Sequence, residues 1–215
     1  MSLVVSQVCK RINGVDILKD ISFSVSSGSV VGLSGVNGSG KTMIMRAVAG
    51  LIRPSSGTIE VDGQVLGKDI EFPPSLGILI ENPSFLSNRT AAANLKLLAS
   101  IKGKVGEPTI AKVLHAVGLD AQDRRKFKSF SLGMKQRLGI AAAVMESPDL
   151  LLLDEPTNAL DRDGVEMVKR MIRWARGRGA SVLLACHDRS ILRELSDEIY
   201  YIAEGHIDGH EELAS

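Results

Sequence analysis

The sequence predicts an α/β domain with a mainly parallel central sheet. Apolar runs that suit strands alternate along the chain with helical patterns, an order that places helices on both faces of a parallel sheet. The run Leu150–Leu153 is aliphatic throughout, as expected of a strand buried on both faces. A glycine-rich segment follows the apolar run Val30–Leu33 and leads into a helical pattern over Thr42–Leu51. A chain of 215 residues accommodates one such domain with a small insertion.

The strands and turns can be placed in chain order. Leu3–Cys9 and Ile17–Val25 predict strands, the second from the alternation of apolar residues with serines. Asp62-Gly63 indicates a hairpin turn, and Glu204-Gly205 indicates a turn after the last strand. The remaining strands are predicted over Val30–Leu33, Thr58–Val61, Leu76–Ile80, Leu150–Leu153, Ser181–Cys186 and Glu198–Ile202.

Between about Asn82 and Glu146 the pattern becomes helical, because alanine, leucine and lysine dominate and apolar residues recur every three or four positions. We interpret residues 82–146 as a helical insertion that ends before Pro148. Residues 1–81 and 147–215 then form the core of a single domain. The core is predicted to contain an amphipathic helix over Val165–Ala175 and a short helix over Arg189–Leu195.

Composition narrows the class of protein. The 26 basic and 25 acidic residues nearly balance, so charge makes no case for nucleic acid as a partner. The separation of Cys9 and Cys186 favours neither a disulfide framework nor a zinc site, which indicates a reducing cytoplasm. The N-terminus lacks the basic start of a signal peptide, and no apolar run approaches the roughly 20 residues that span a bilayer. Any role at a membrane is therefore expected from its surface, through a partner.

The glycine-rich segment matches the phosphate-loop pattern G-x-x-x-x-G-K-[ST] in full. The glycines let successive backbone N–H groups turn inward around a phosphate, and the following helix adds its positive dipole end. Lys41 supplies a charge for the β and γ phosphates, and the Thr42 hydroxyl is a ligand for Mg²⁺. The segment therefore predicts a nucleoside triphosphate site. Its residues are Gly35, Val36, Asn37, Gly38, Ser39, Gly40, Lys41 and Thr42.

Two carboxylates and a histidine follow two of the predicted strands. Asp154 and Glu155 come directly after the leucine strand, and His187 follows the strand that ends at Cys186. Because the carboxyl ends of parallel strands meet at one edge of a sheet, we expect the three side chains to lie close together. Asp154 suits Mg²⁺, often through water, and Glu155 suits polarising an attacking water. A contact of His187 with a γ-phosphate is then plausible.

A second potential phosphate site lies at the start of the predicted helix that runs from Ser131 to about Met145. Ser131 is a natural N-cap, and Gly133 keeps backbone N–H groups accessible at the positive helix end. One chain need not use both phosphate sites on the same nucleotide, which suggests a symmetric dimer with two composite sites. Taken alone, however, a serine before an alanine-rich helix is more often only a cap.

The order of these motifs resembles the nucleotide-binding subunit of ABC transporters over essentially the whole chain. The resemblance implies a P-loop NTPase fold with an N-terminal antiparallel β subdomain and an inserted helical subdomain. It also implies a head-to-tail dimer, in which ATP lies between the phosphate loop of one subunit and the signature helix of the other. The motifs that carry it are the phosphate loop, Ser131–Arg137, Asp154-Glu155-Pro156, Asn158–Asp161 and His187.

The same resemblance implies a role for each site residue. Lys41 and Thr42 hold phosphates and Mg²⁺, and Asp154 supports the Mg²⁺. Glu155 is the general base, and His187 is the switch histidine that contacts the γ-phosphate. Ser131 and Gly133 reach the γ-phosphate on the other subunit, and Asp161 belongs to the loop that couples the two sites.

Three departures from the family pattern matter. The usual LSGGQ signature reads Phe130–Met134 here, and the departures at Leu132 and Met134 bear on dimer packing. The usual glutamine after the sheet strand is Glu81, which still suits Mg²⁺ or its water but crowds like charges with Asp154 and Glu155. The adenine-stacking aromatic is replaced by Ile12, which leaves apolar contact only. Glu81, Pro83 and the signature helix are most similar to bacterial ATPase subunits of antimicrobial-peptide and lantibiotic-resistance exporters.

The resemblance implies an ATPase that binds ATP and Mg²⁺ and powers a separate integral membrane permease from the cytoplasmic face of the cell membrane. The Glu81 loop and the helical insertion are the expected coupling surface, and the second ATPase subunit is an identical or a related chain. A soluble ABC-type ATPase in repair, translation or cofactor assembly is the alternative, although the chain has neither the coiled coil of repair members nor the second domain of translation factors. A binding module without turnover conflicts with the intact Lys41, Asp154, Glu155 and His187. A small-molecule kinase conflicts with the signature helix and His187.

Overall fold

The computed structural model describes residues 1–213. Within them the chain forms two β-sheets and six α-helices, with a single 3₁₀ turn at Phe127–Ser129. The strands are β1 (Leu3–Ile12), β2 (Val15–Val25), β3 (Val30–Ser34), β4 (Ser56–Val61), β5 (Gln64–Val65), β6 (Leu76–Leu79), β7 (Leu150–Asp154), β8 (Ser181–Ala185), β9 (Glu198–Ala203) and β10 (His206–Glu212). The helices are α1 (Lys41–Val48), α2 (Ala91–Lys102), α3 (Glu107–Ala116), α4 (Leu132–Val144), α5 (Arg162–Gly177) and α6 (Arg189–Leu195).

The larger sheet has the strand order β10-β9-β3-β8-β7-β6. Its strands β9, β3, β8, β7 and β6 run parallel, and β10 pairs with β9 in antiparallel fashion. The predicted mainly parallel sheet is therefore confirmed. Because β3, β7 and β8 are central neighbours, the residues that follow them emerge at the same sheet edge.

The smaller sheet has the order β2-β1-β4-β5 and is antiparallel throughout. It confirms the antiparallel β part that the family resemblance implied. Asp62 and Gly63 join β4 to β5 with φ angles of 49° and 77°, the left-handed pair that a tight hairpin turn requires. The hairpin predicted at Asp62-Gly63 is thus confirmed.

The leucine strand β7 belongs to two hydrophobic cores at once. Leu151 and Leu153 pack with the helical insertion and α5, whereas Leu150 and Leu152 pack with α1 and the smaller sheet. All four side chains are buried. Successive side chains of a strand point to opposite faces, so a strand that is apolar at every position is buried on both. This packing fixes the position of Asp154 and the residues that follow it.

Helices α2, α3 and α4 lie between β6 and β7 in the chain, within the segment predicted to be helical. Thr90 and Ser131 accept hydrogen bonds from backbone N–H groups at the first turns of α2 and α4. Helix α3 ends at Ala116, shortly before Gly118 with its left-handed φ of 75°, and α4 begins at Leu132. The division of the chain at residues 82 and 146 into core and insertion remains a prediction.

The structure differs from the predicted elements at a few ends. The first helix ends at Val48 rather than Leu51, because Gly50 adopts a left-handed φ of 75°. The turn at Glu204-Gly205 is present, but it leads into β10, which the sequence did not predict. This strand alternates through His206, Asp208 and His210 in a pattern of polar residues. Polar edge strands lack the apolar alternation by which strands are recognised.

Candidate active site

The phosphate loop connects the buried strand β3 to the first turn of α1. Gly38 and Gly40 have left-handed φ angles of 81° and 116°, and Gly40 occupies the N-cap position of α1. A Cβ atom at Gly35 would lie 2.3 Å from the Ile202 carbonyl oxygen, so only glycine fits there. The glycine conformations place the loop at the positive N-terminal end of α1, an arrangement that suits the binding of anions.

Lys41 is held within this loop. Its Nζ donates hydrogen bonds to the carbonyl oxygens of Gly35 at 2.6 Å and Val36 at 3.1 Å. The residue is only 5% exposed although it carries a charge. A buried ammonium group beside a ring of backbone N–H groups makes the loop strongly attractive to phosphate.

Asp154 ends β7 directly against the phosphate loop. The Thr42 hydroxyl donates a 2.6 Å hydrogen bond to Asp154 Oδ2. Burial raises the pKa of Asp154, and the Thr42 hydrogen bond opposes this only in part, while the nearby Glu155 charge adds to it. Two oxygen donors in contact and a buried carboxylate that lacks a full countercharge form the donor set that suits Mg²⁺. The residues therefore fit the cation that the loop motif predicts.

Glu155 and His187 meet at the adjacent strand ends. Glu155 Oε2 lies 2.7 Å from His187 Nδ1, because Asp154 and Ala185 are partners in the β7–β8 register. The Glu155 backbone has a left-handed φ of 48°, and its N–H donates to the Ala185 carbonyl oxygen at 2.8 Å. Among residues 1–213, the second carboxylate oxygen of Glu155 is buried without a hydrogen-bond partner. Strained backbone and an unpaired buried oxygen are features that concentrate at functional sites.

The signature helix α4 is joined to the same strand end by Gln136. The Gln136 side-chain amide donates to the carbonyl oxygens of Glu155 at 3.1 Å and Pro156 at 3.2 Å. At the N-terminus of α4, the Ser131 hydroxyl accepts a hydrogen bond from the Met134 N–H at 3.2 Å. Ser131 and Leu132 are exposed. The helix start thus faces solvent, while its second turn is tied to the carboxylate strand.

Gly133 and Asp161 make structural contacts around the loop that follows β7. A Cβ atom on Gly133 would lie 2.9 Å from the Ala159 carbonyl oxygen, so a larger residue would displace the loop after β7. Asp161 caps α5 by accepting from the Gly164 N–H at 2.9 Å and pairs with Arg137 at 3.0 Å. The backbone hydrogen bond from Gly164 holds the pKa of Asp161 below its usual range.

Glu81 makes an ion pair that the sequence did not predict. Its carboxylate lies 2.7 Å from the Arg46 guanidinium on α1, and both side chains are partly exposed. The Glu81 charge still contributes to the raised pKa of Asp154. Arg46 therefore offsets some of the like-charge crowding expected around Asp154. The role of Glu81 as a metal ligand remains a prediction.

A cavity of about 530 Å³ brings together half of the predicted site residues. It also contains Ile17, Gln136 and Asn158, which the sequence did not assign to the nucleotide site. Hydrophobic and amide side chains carry no reactive group, so only the fold could reveal them. The predicted residues that line the cavity are Asn37, Gly38, Gly40, Lys41, Thr42, Glu81, Asp154 and Glu155.

Other predicted residues lie outside this cavity. His187 lines a neighbouring cavity of about 350 Å³ together with Gly35 and Val36. Ser39 is buried beside Gly35. Ile12 is 40% exposed at the end of β1 and, among the described residues, is not part of the cavity lining. The exposed Ser131 and the partly buried Gly133 are likewise outside it, so one chain brings together only part of the predicted site.

A second cavity of about 530 Å³ forms a largely apolar groove between α1, β6 and the helical insertion. Glu81 and Asn82 line both this groove and the nucleotide cavity. The loop after β6 therefore touches the two places at once. Within the described part of the chain, no helix is both long enough and apolar enough to cross a membrane.

Relatives of known family align with most of this chain. The YybJ protein of Bacillus subtilis (strain 168), named as an ABC transporter ATP-binding protein, is 41% identical over 97% of this chain and 96% of its own length. The bacitracin transport ATP-binding protein BcrA of Enterococcus faecalis is 37% identical over 92% of this chain and 65% of its own length. The lantibiotic transport ATP-binding protein SrtF of Streptococcus pyogenes is 39% identical over 92% of this chain and 87% of its own length.

The fold has close counterparts among solved structures. The ATP-binding cassette MJ0796, solved as a dimer in a post-hydrolysis state with ADP and Pi, superposes with a TM-score of 0.89 at 21% identity. The superposition covers 99% of both chains. The family described as ABC transporter matches residues 18–158, which contain the phosphate loop, the signature helix and the carboxylate strand. This chain therefore belongs to the ATP-binding proteins of the ABC transporter family.

Proposed function

We propose that the chain binds Mg²⁺ with ATP and hydrolyses the ATP to drive a separate membrane permease. The observation that carries the proposal is the pairing of Glu155 with His187 at 2.7 Å, beside the contact of Thr42 with Asp154 at 2.6 Å. A phosphate cradle, a cation site and a carboxylate base thus share one sheet edge. Each is a part that phosphoryl transfer to water requires.

The phosphate loop and Asp154 form the binding half of this site. Backbone N–H groups of the loop and the Lys41 ammonium bind the β and γ phosphates, and Thr42 and Asp154 hold the cation. When bound, Mg²⁺ would neutralise negative charge on the phosphate oxygens. Burial raises the pKa of Asp154, so a cation in contact with its carboxylate removes an unfavourable buried charge.

Glu155 and His187 form the chemical half. The buried oxygen of Glu155 that has no hydrogen-bond partner within residues 1–213 is free to accept a proton from the attacking water. The other oxygen is engaged by His187 Nδ1, which fixes the orientation of the carboxylate. Gln136 holds the backbone of Glu155 and Pro156 in place, so the base is positioned from the signature helix as well.

The second part of the site is proposed to come from another ATPase subunit. Ser131 and Gly133 stand at the exposed start of α4, outside the cavity that holds the phosphate loop. A helix N-terminus with accessible N–H groups completes a phosphate site when it is supplied by a neighbouring chain. The dimeric MJ0796 cassette, whose fold this chain shares, is consistent with a head-to-tail pair.

The groove beside α1 is the proposed contact with the permease. Leu51 and Ile78 line it and are exposed, and Glu81 links it to the nucleotide cavity. Transport names borne by SrtF and BcrA support export of antimicrobial peptides as the process that hydrolysis drives. The chain would then act at the cytoplasmic face of the cell membrane.

The test is recovery of a permease with the tagged chain from detergent-solubilised membranes, together with ATP hydrolysis by the recovered complex. We expect a multi-span protein to co-purify with the wild type and to be lost in Leu51→Asp. Val4→Asp is the matched control, because Val4 is 39% exposed on β1 of the smaller sheet and, in the described structure, lies neither in the lining of the groove nor in the helical insertion. Recovery of soluble partners only would contradict coupling to a permease. Absence of ATP hydrolysis with and without the partner would contradict the enzymatic proposal.

A further inference from the structure

The strand ends that carry Glu155 and His187 also carry Cys186. The Cys186 thiol, an imidazole nitrogen of His187 and a carboxylate oxygen of Glu155 all lie within 4.8 Å of one another. Glu155 comes from the end of β7 and the other two residues follow β8, so neighbouring strands create the cluster. The separation of the two cysteines in the sequence gave no sign of it, because only one cysteine takes part.

Sulfur, nitrogen and oxygen donors together select a different ion from Mg²⁺. Zn²⁺ binds thiolate, imidazole and carboxylate at about 2.0 to 2.3 Å and accepts three protein ligands with water in the fourth position. Mg²⁺ prefers an all-oxygen shell, which Thr42 and Asp154 offer on the other side of Glu155. A tetrahedral site needs its ligand atoms roughly 3.5 Å apart. An adjustment of about 1 Å is within reach of a side chain as exposed as His187, at 62%.

Burial explains why the thiol takes no part in the hydrolytic roles. Cys186 is fully buried, and desolvation raises the pKa of its thiol, so the sulfur remains protonated and unreactive on its own. Its neighbour is the Thr157 hydroxyl, 3.8 Å from the sulfur. The imidazole above it is open to solvent and gives an ion a route of entry.

We propose that Glu155, Cys186 and His187 form a binding site for Zn²⁺ or a similar thiophilic divalent cation, which stops ATP hydrolysis when it binds. The thiol releases its proton to solvent as the metal–sulfur bond forms, and no oxidation is involved. The cation replaces the hydrogen bond between His187 Nδ1 and Glu155 Oε2 and takes up the carboxylate. The inhibitory part rests on the proposed role of Glu155 as general base, but the binding part does not.

Binding is tested with Co²⁺ as a spectroscopic substitute for Zn²⁺, on the metal-free full chain without nucleotide. We expect a near-ultraviolet sulfur-to-cobalt charge-transfer band that added Zn²⁺ abolishes. Cys186→Ser should lose the band, and Cys9→Ser should keep it, because Cys9 lies in β1 of the other sheet. Cys186→Ala serves in place of Cys186→Ser if the latter does not fold. A band that persists without Cys186, or no band in the wild type, would overturn the proposal.

Inhibition is tested separately, by titrating buffered free Zn²⁺ into the ATPase assay at saturating Mg²⁺ and ATP. Zn²⁺ should inhibit the wild type and Cys9→Ser, and at least about tenfold more Zn²⁺ should be needed for Cys186→Ser, because even the loss of a residue that supports a metal ligand weakens metal affinity about 10- to 100-fold. Equal sensitivity of all three proteins would overturn the inhibitory role. Without Zn²⁺ the same assay reports whether the chain hydrolyses ATP at all, so failure of the proposed function is recognised independently.

Discussion

The phosphate loop and the signature helix start are both built to meet phosphate, but they differ in how much of the site one chain completes. In the loop, Lys41 is 5% exposed and bonded to two carbonyl oxygens, and Thr42 is bonded to Asp154. At the signature helix, Leu132 is 59% exposed and the Ser131 hydroxyl is bonded to the first turn of its own helix. The phosphate loop is held by contacts within the chain, whereas the start of the signature helix is exposed and available to another molecule.

This contrast separates nucleotide binding from turnover. A region that is complete in one chain should bind ATP without help, and a region that faces outward should matter only after assembly. Substitutions in the two regions should therefore differ in their effect on ATP binding by the isolated subunit, even where both abolish hydrolysis.

The largest effect is expected from Glu155→Gln, which keeps the shape of the side chain but removes the base. Steady-state phosphate release should fall by a factor of about 10² to 10⁴, the usual contribution of a general base. ATP binding should remain, because the phosphate loop and Asp154 are untouched. The dimer should persist longer with ATP, which size-exclusion chromatography can measure.

Glu107→Gln is the matched control for Glu155→Gln, since Glu107 pairs with Lys96 on the surface of the insertion. It should change neither turnover nor dimer lifetime. Undiminished phosphate release by Glu155→Gln would remove Glu155 from the role of base.

A smaller effect is expected at the outward-facing region, from Ser131→Ala. Turnover should fall by about 10²-fold, as when one donor to a transition-state oxygen is removed. The affinity of the isolated subunit for ATP should be unchanged. Loss of the N-cap should cost about 1 kcal/mol of stability, so thermal unfolding must be measured in parallel.

Ser129→Ala is the control that removes a nearby hydroxyl without touching the cap. Ser129 lies two residues before Ser131, and its hydroxyl donates to the Lys126 carbonyl oxygen. Its turnover should match that of the wild type. If Ser131→Ala instead weakens ATP binding by the isolated subunit, the signature region belongs to the same half-site as the loop, and the contrast fails.

Much of the fold was predictable because its strands are buried on both faces. The composition of β7, an unbroken leucine run, and of the apolar β3 is enough to predict that both strands are buried. The spacing of the loop motif is enough to predict that the loop binds phosphate. The order of phosphate loop, insertion and carboxylate strand then led to the family, which the comparisons confirm. The polar edge strand β10 was missed for the opposite reason, since it has little apolar pattern to recognise.

The site was predictable only where reactive groups follow strands. Asp154, Glu155 and His187 were placed at one edge by the parallel topology, and the structure brings Glu155 and His187 into contact. The Arg46–Glu81 ion pair, the Gln136 tether and the cysteine beside His187 depend on contacts between distant segments. No local pattern encodes such contacts, so they had to come from the structure.

Each of the two regions is in contact with an aspartate, and the pKa values of the two aspartates shift in opposite directions. Asp154 is bonded to Thr42 of the phosphate-loop region, and Asp161 is paired with Arg137 of the signature helix. Burial raises the pKa of Asp154 above 3.8, so the folded state binds its proton more tightly than the unfolded state. The favourable contribution of Asp154 to the free energy of unfolding is complete below pH 3.8 and is lost as the pH rises through the raised pKa. The pKa of Asp161 is lowered by the Gly164 N–H, so its contribution is present above pH 3.8 and lost as the pH falls.

Denaturant unfolding in chelator across this pH range measures both effects. Relative to the wild type, Asp154→Asn should gain stability as the pH rises above 3.8, and Asp161→Asn should lose stability as the pH rises toward 3.8 from below. Parallel curves for the wild type and Asp154→Asn would show that the Asp154 carboxylate carries no burial cost.

The smallest effect concerns the contact with the adenine base of ATP. We assign this contact to the phosphate-loop region, which one chain completes by itself. If Ile12 occupies the adenine position, Ile12→Tyr should tighten ATP binding about 2- to 10-fold, since stacking adds roughly 0.5–1.5 kcal/mol beyond area burial. Equilibrium nucleotide binding to the isolated subunit measures this. Val4→Tyr is the control, because Val4 is 39% exposed on the same strand but pairs with Ser24 at its far end.

The structure offers Ile17 as the competing position, since Ile17 lines the cavity beside the phosphate loop. Unchanged affinity in Ile12→Tyr, together with weaker binding in Ile17→Ala, would assign the base contact to Ile17. Tighter binding in Ile12→Tyr alone would instead mean that the hairpin end of β1 reaches over the nucleotide, which extends the self-contained region to the smaller sheet. In either case the contact would be made within one chain, and a dependence of the effect on subunit concentration would contradict that.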